Sequence, residues 1–220
     1  MEIVARIHTD FATKFGVPRQ SGLAPSLKAR IVFEPAYRSP DFIKGLDAFS
    51  HIWLLWQFSA SPDKVTATVR PPRLGGNTRM GVFATRSPFR PNRIALSSVK
   101  LESIEWDAPD GPALVVSGAD LMDGTPIVDI KPYLAYTDSH PDAVGGFADA
   151  ALAYDLAVTV PPEWLDKIPP AHRDGLIEVL AQDPRPAYQD DPERVYGFVF
   201  AGYEVKFTVC DGTLTVQSVE

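Results

Sequence analysis

The chain is poor in the residues that build covalent or metal-held sites. Its single cysteine, Cys210, excludes an internal disulfide and a thiolate metal cluster, and fits a reducing cytosol. Four histidines (His8, His51, His140 and His172) are scattered without ligand spacing, so no metal is expected. No apolar run approaches the roughly 18 residues of a membrane span. The first residues, MEIVARIHTDF, carry acids and no apolar core of a signal peptide. There is no GxGxxG after a strand, no P-loop, no HExxH and no GxSxG, which argues against a Rossmann-type cofactor site. One absence is local. Between Lys64 and Leu101 there is no acidic residue, while eight basic ones occur: Lys64, Arg70, Arg73, Arg79, Arg86, Arg90, Arg93 and Lys100.

That gap matters because the protein as a whole is acidic, at net −7. Residues 1–101 hold 15 Lys/Arg against six Asp/Glu, whereas residues 102–220 hold six against 22. The asymmetry points to a first half that meets a polyanion and a second half that maintains solubility. Six of the eight cations are arginines, whose planar fork suits phosphate and stacks on bases. The competing reading is a solvated surface with ordinary ion pairs.

What is abundant is turn chemistry. The 21 prolines are about twice the usual share and disfavour long helices. Period-two alternation predicts strands over Glu2–His8, Leu27–Phe33, Lys64–Arg70, Ala113–Ala119 and Gly212–Val219. His51–Phe58 (HIWLLWQF) is almost wholly apolar and reads as a strand buried on both faces. Met80–Thr85 and Ile94–Leu101 read as two more. Ser39 can cap a short helix with Pro40 and Asp41 in its first turn and Phe42, Ile43, Leu46 and Phe49 inward. A second helix is predicted over Pro170–Gln182, with Leu176, Ile177, Val179 and Leu180 inward.

A mainly β protein with minor α follows, as a barrel or sandwich. The turn-rich stretch Thr137–Gly146 divides it into a main unit, residues 1–140, and a small α+β unit, residues 147–220. The latter has strands near Tyr154–Val160, Tyr196–Phe200, Tyr203–Val209 and Thr213–Val219.

Three segments carry candidate chemistry. In residues 74–93, Gly75 and Gly76 permit close approach to a ligand, and Pro88 and Pro91 stiffen a loop bearing Arg86, Arg90 and Arg93. A stiff hairpin with incidental charge is the alternative. In residues 119–133, Asp120, Asp123 and Asp129 sit beside Lys131 and Tyr133, and Asp123-Gly124 is a strong turn signal. Asp123 either makes that turn or helps it hold a polar ligand. Residues 15–22 (FGVPRQSG) either clamp a ligand or start a strand. These features describe an acidic cytosolic β protein with an Arg-rich face for nucleic acid, and name no reaction.

Together these segments resemble the tRNA N6-threonylcarbamoyladenosine methyltransferases, the TrmO/YaeB group. The resemblance rests on PRQSGL at 18–23, GLDAFSHIW at 45–53, RPPRLGGNTRMGVFATRSPFRPN at 70–92 and DLMDGTPIVDIKPY at 120–133. AQDPRPAY at 181–188 is similar to the family's C-terminal region. The resemblance implies a single-sheet antiparallel β-barrel that binds S-adenosylmethionine (SAM), a homodimer, and methylation of N6 of threonylcarbamoyladenosine next to the anticodon. Implied SAM contacts are Pro18, Arg19, Gln20, Arg86, Leu96, Asp123, Gly124, Thr125 and Pro126. Ser59-Ala60 replaces a His-Gln pair of many members, and Arg93 stands where a smaller residue is common. Given that reaction, Asp129 is the expected proton acceptor with Asp123 second, Lys131 an orienting cation and Tyr133 a stacking or hydrogen-bonding partner. A structural ion pair is the other reading of Asp129 and Lys131. Arg70, Arg73, Arg79, Arg90 and Arg93 are expected to contact the anticodon arm, or to lie in the dimer interface. A non-catalytic SAM- or RNA-binding barrel, or a methyltransferase for another nucleoside or small molecule, is the alternative function.

Overall fold

The structure, a computed structural model, describes residues 1–71, 74, 78–151, 155–185 and 191–220. Its strands are β1 (Ala5–His8), β2 (Lys28–Phe33), β3 (His51–Gln57), β4 (Thr68–Val69), β5 (Met80–Gly81), β6 (Ile94–Glu105), β7 (Ala113–Ser117), β8 (Thr125–Pro132), β9 (Ala157–Thr159), β10 (Tyr196–Phe200), β11 (Tyr203–Cys210) and β12 (Thr213–Val219). Three helices, α1 (Ala135–Asp138), α2 (Pro162–Leu165) and α3 (Pro170–Ala181), join them.

Six strands close an antiparallel barrel in the order β1-β2-β7-β6-β3-β8. Alternation drives the closure. In β2 the sequence KARIVF buries Ala29, Ile31 and Phe33. These pack with Ile7, Ile52, Leu54, Val99, Leu114, Val116 and Ile127 in one core. Closure pairs every strand on both sides and leaves no edge to template aggregation. The β3–β8 register slips between Leu55 and Trp56, so that Leu55 faces Asp129 while Trp56 faces Ile127. This bulge leaves Val128 unpaired against β3 and re-aims the side chains on either side of it.

The second unit is a four-stranded sheet, β10-β11-β12-β9, with β9 parallel to β12. Turns at Ala201-Gly202 and Asp211-Gly212 hold both residues at positive φ, the geometry that closes two-residue hairpins. Leu176, Val179 and Leu180 of α3 cover the sheet. This second core also buries Phe11, Ala24 and Leu27, which belong to the connection between β1 and β2. The segment crossing from β1 to β2 lies within residues 1–140, yet Phe11, Ala24 and Leu27 in it pack in the second core.

Several local expectations are corrected. β3 alternates, with Ile52, Leu54 and Trp56 buried and Trp53, Leu55 and Gln57 half-buried, so only one of its faces is core. The predicted strands over Lys64–Arg70 and Met80–Thr85 contract to the two-residue ribbon β4–β5 and a 3-10 turn at Val82–Ala84. Gly45, at φ 84°, breaks the helix predicted after Ser39 into 3-10 turns Pro40–Ile43 and Leu46–Ala48. The Ser39 side chain does accept from the Asp41 amide, at 3.4 Å, but Phe42 is exposed. Ile177 also lies at the surface. Of the strand expected near Tyr154–Val160, Tyr154 lies outside the described residues.

Candidate cofactor cavity and active site

Strands β1 and β3 end, and β6 and β8 begin, at the same mouth of the barrel. A cavity of about 850 Å³ opens there. Its walls come from residues 12–20, the end of β3 and the turn after it, residues 86–96, and residues 120–125. Four stretches distant in sequence thus share one space, of the size that holds a cofactor-sized ligand.

The 122–125 turn sets one wall. Asp123 Oδ1 accepts from the Thr9 amide at 3.1 Å and lies 3.2 Å from His8 Nδ1. Gly124 adopts φ 72° and its amide donates to Ile7 at 2.8 Å. Thr125 is buried and its hydroxyl donates to Met122 at 2.8 Å. Asp123 thus builds the turn and lines the cavity. Thr125 lines the cavity too, whereas Gly124 and Pro126 are not among its wall residues.

Across the cavity, Arg86 Nη1 donates to Gln20 Oε1, and Gln20 Nε2 to the carbonyl of Arg19 at 2.5 Å. Arg19 Nη2 donates to the carbonyl of Asp183 at 2.7 Å. Pro18, Arg19, Gln20, Arg86, Leu96, Asp123 and Thr125 are all wall residues.

Sequence reasoning did not place Asp120 in the site. Its Oδ1 accepts from Ser97 Oγ at 2.5 Å, and Ser97 Oγ accepts from Trp56 Nε1 at 2.9 Å. Ser97 and Trp56 are buried in the barrel, so the carboxylate is held at the cavity wall by a chain rooted in the core. Burial pushes the Asp120 carboxyl above its ordinary range. The Ser97 hydroxyl, its own amide, the charge of Arg86 and the Ser21 amide pull in the opposite direction without cancelling the rise. The Phe58 ring, 4.6 Å from that of Trp56 edge to face, supplies an aromatic wall beside this chain.

Asp129, Lys131 and Tyr133 lie elsewhere. Asp129 Oδ2 pairs with Lys131 Nζ at 2.9 Å, and Oδ1 accepts from the Ile130 amide at 2.9 Å. Leu55 pairs with both Leu96 and Asp129, so Asp129 stands in one row with two residues of the cavity wall without lining the cavity itself. At about 3.3 Å per residue, Asp129 is roughly 13 Å along the strand from Thr125, and Tyr133 roughly 26 Å. The Tyr133 ring packs on Trp53 at 5.5 Å, and Trp53 Nε1 donates to Asp138 at 2.8 Å. None of the three lines the cavity.

The arginines also separate. Arg70 is exposed, and Arg79, exposed too, donates to Thr68 Oγ1 at 3.3 Å across the β4–β5 ribbon. Arg90 turns inward: it donates to the carbonyls of Ser87 at 2.9 Å, Val82 at 3.2 Å and Thr85. Arg93, at φ 44°, donates to the Ser61 carbonyl at 3.3 Å and lies 3.7 Å from Asp63. These two tie the loop to itself and to its neighbour. Arg73 lies outside the described residues. No cluster of three or more His, Cys, Asp or Glu side chains suited to a metal occurs among the described residues. No helix among them is long and apolar enough to cross a membrane.

Residues 6–139 match the family model described as the tRNA-methyltransferase O N-terminal domain, and residues 156–220 match the TrmO C-terminal domain. The chain belongs to the TrmO family. It is 42% identical over 228 residues to the tRNA (adenine(37)-N6)-methyltransferase of Escherichia coli K12, covering 100% of this chain and 97% of that protein. A Pseudomonas aeruginosa relative, named a putative S-adenosylmethionine-dependent methyltransferase RcsF, is 44% identical over 207 residues, covering 88% of this chain and 85% of that one. The crystal structure of TrmO from Pseudomonas aeruginosa superposes with a TM-score of 0.79 at 30% identity, covering 100% of this chain and 98% of that one. The TrmO barrel and its C-terminal unit are thus both present.

The residues at the mouth suit SAM. Trp56 and Phe58 offer aromatic faces to a flat base or a sulfonium cation. Arg86 matches an amino-acid carboxylate, and Asp120 an ammonium or a labile proton.

Proposed function

We propose that this protein methylates N6 of adenosine 37 in tRNA, next to the anticodon, with SAM held in the barrel-mouth cavity. The observation that carries this reading is the convergence of Pro18, Arg19, Gln20, Arg86, Leu96, Asp123 and Thr125 on one space. Each is a position at which family membership implies a cofactor contact. When bound, SAM supplies an electrophilic methyl group on sulfur. The preferred acceptor is the threonylcarbamoyl-modified adenosine, whose N6 belongs to a urea and is a weak nucleophile until its proton is drawn off.

Asp120 is the carboxylate we assign to that proton, in preference to Asp129. It lines the cavity, it is anchored by Ser97, and burial raises its affinity for a proton above that of an ordinary carboxylate. With SAM bound there to supply the methyl group and keep the leaving electron pair on its sulfur, Asp120 would take up the proton that N6 gives up. Positioning supplies most of the remaining rate, because attack must be in line. Asp129, Lys131 and Tyr133 then act outside the cavity.

The experiment is single-turnover methylation of threonylcarbamoyl-modified tRNA at saturating SAM. Asp120→Asn is expected to slow the step by about 10²- to 10⁴-fold, with Asp129→Asn close to wild type. The reverse ranking restores Asp129 as the base. A loss of SAM affinity at unchanged rate makes Asp120 a cofactor ligand instead.

Arg70 and Arg79, with Arg73, are the proposed contacts to the anticodon-arm phosphates. The proposed working unit is a cytoplasmic homodimer. A monomer mass in sedimentation velocity would remove that part.

A further inference from the structure

Residues 9–27 cross from β1 to β2 without a helix or strand of their own. Connections of this length inside a compact fold need an external scaffold or stay loose. The barrel side holds them near their ends, through the Thr9 and Asp123 amides and through Gly22, whose amide donates to Gly118 at 2.8 Å, and in between at Gln20, which accepts from Arg86. The stretch that faces the cavity, residues 12–14 and 17–20, lies between those ends.

The C-terminal unit grips the connection on both sides of that stretch and, at Arg19, within it. The Ala201 amide donates to Asp10 at 3.0 Å, and His172 Nδ1 lies 2.9 Å from Asp10 Oδ2. Phe11 is buried edge-on against Phe200, with centroids 5.6 Å apart. Phe15 meets Phe198 at 6.2 Å, and the Gly16 backbone lies so close to the same ring that a Cβ there would sit 2.4 Å from Phe198 Cδ2. The Ser26 amide and hydroxyl donate to Glu178 at 2.9 and 2.7 Å. In the middle, Arg19 donates to the carbonyl of Asp183. That carbonyl is itself aimed. Asp183 adopts φ 52°, and its carboxylate receives Arg185 Nε at 2.8 Å and Nη2 at 3.0 Å, with both residues buried.

We propose that the C-terminal unit is the brace of the cofactor-facing loop. Phe198 and the Asp183–Arg185 pair act as positioning residues that pre-organise Pro18, Arg19 and Gln20, and they set cofactor affinity rather than the rate of transfer. This rests on the reading of the cavity as the SAM site. Pre-organisation lowers the ordering cost of binding, so loosening the brace weakens binding without touching the reacting atoms.

The test uses the full-length chain. Arg185→Met removes the two-pronged pair, Arg185→Lys keeps one charge contact, and Phe198→Leu withdraws the ring from Gly16 while keeping an apolar side chain in the core. Hydrogen exchange in cofactor-free protein is expected to speed up over residues 12–20 in Arg185→Met and Phe198→Leu, with β2 and β7 unchanged. SAM affinity by calorimetry should fall roughly tenfold, turnover at saturating SAM should stay within about twofold, and Arg185→Lys should lie between. If Arg185→Met does not fold, Arg185→Lys and Phe198→Leu carry the measurement. Unchanged exchange over 12–20 overturns the proposal, as does a fall in turnover at unchanged SAM affinity. If the wild-type chain binds no SAM, the cofactor reading fails while the exchange data still decide the brace.

Discussion

Asp110 and Arg30 meet in a two-pronged pair at the barrel surface, with Arg30 Nη1 and Nη2 at 2.9 and 2.8 Å from the carboxylate and Nε at 2.7 Å from Glu105. Hydrogen bonding from Arg30 is the main reason the Asp110 carboxyl falls from 3.8 to about 2. Arg30 rises for the same reason, and by more, because it answers to Glu105 as well. A carboxyl lowered on folding adds stability above its unfolded pKa and loses it as pH falls through the folded value. The melting-temperature gap between wild type and Asp110→Asn should therefore be constant above about pH 4 and close between 3.8 and about 2. A gap that persists at pH 2 would exclude the pair as its source. Asp120 works in the opposite sense, so the acid limb of the methylation rate should lie higher than for an ordinary carboxylate. At this scale the sequence was only partly legible. It marked the segment holding Asp120, Asp123 and Asp129 but not which carboxylate points where. Side-chain direction alternates along a strand, and the bulge opposite Leu55/Trp56 resets that parity at a point no pattern reveals.

At the scale of elements, the basic stretch from Lys64 to Leu101 divides by what each arginine already holds. Arg90 closes the Val82–Ala84 turn and walls the cavity, whereas Arg70 and Arg79 stay at the surface. Filter binding of tRNA across a salt series should separate them. Arg70→Ala and Arg79→Ala are each expected to reduce the salt slope by roughly one. Arg90→Met should leave that slope intact and instead weaken SAM binding, since it frees the loop that carries Arg86. Equal effects of all three on the slope would return Arg90 to the phosphate contacts. Charge counting found this stretch because electrostatics needs only composition. It failed to split the stretch because the partners of Arg90 are backbone carbonyls, which every residue has. The strands showed the same limit. Alternation located β2, β7 and β12 to within about two residues, while β8, which carries Pro126 and Pro132, was hidden by residues that ordinarily interrupt a strand.

For the whole molecule, the two cores share a chain segment, and this bears on how the protein unfolds. Leu27 packs in the second core, yet its carbonyl accepts from the Gly118 amide at 2.9 Å at the end of the β2–β7 pairing. The α3 backbone at Gly175 comes so near Leu27 that an added Cβ would sit 2.6 Å from its Cδ2. Losing the C-terminal sheet would therefore expose Phe11, Ala24 and Leu27, and losing the barrel would release both ends of the segment that carries them. The two units should unfold in a single transition. Trp56 reports on the barrel core and Trp164 on the second. Variants in which only one of them remains fluorescent should give the same denaturant midpoint. Leu27→Ala, which removes a buried side chain at the junction, should lower both midpoints together by an amount equivalent to about 2–5 kcal/mol. If instead the Trp164 midpoint falls while that of Trp56 holds, the barrel stands alone and the C-terminal unit is a separable attachment.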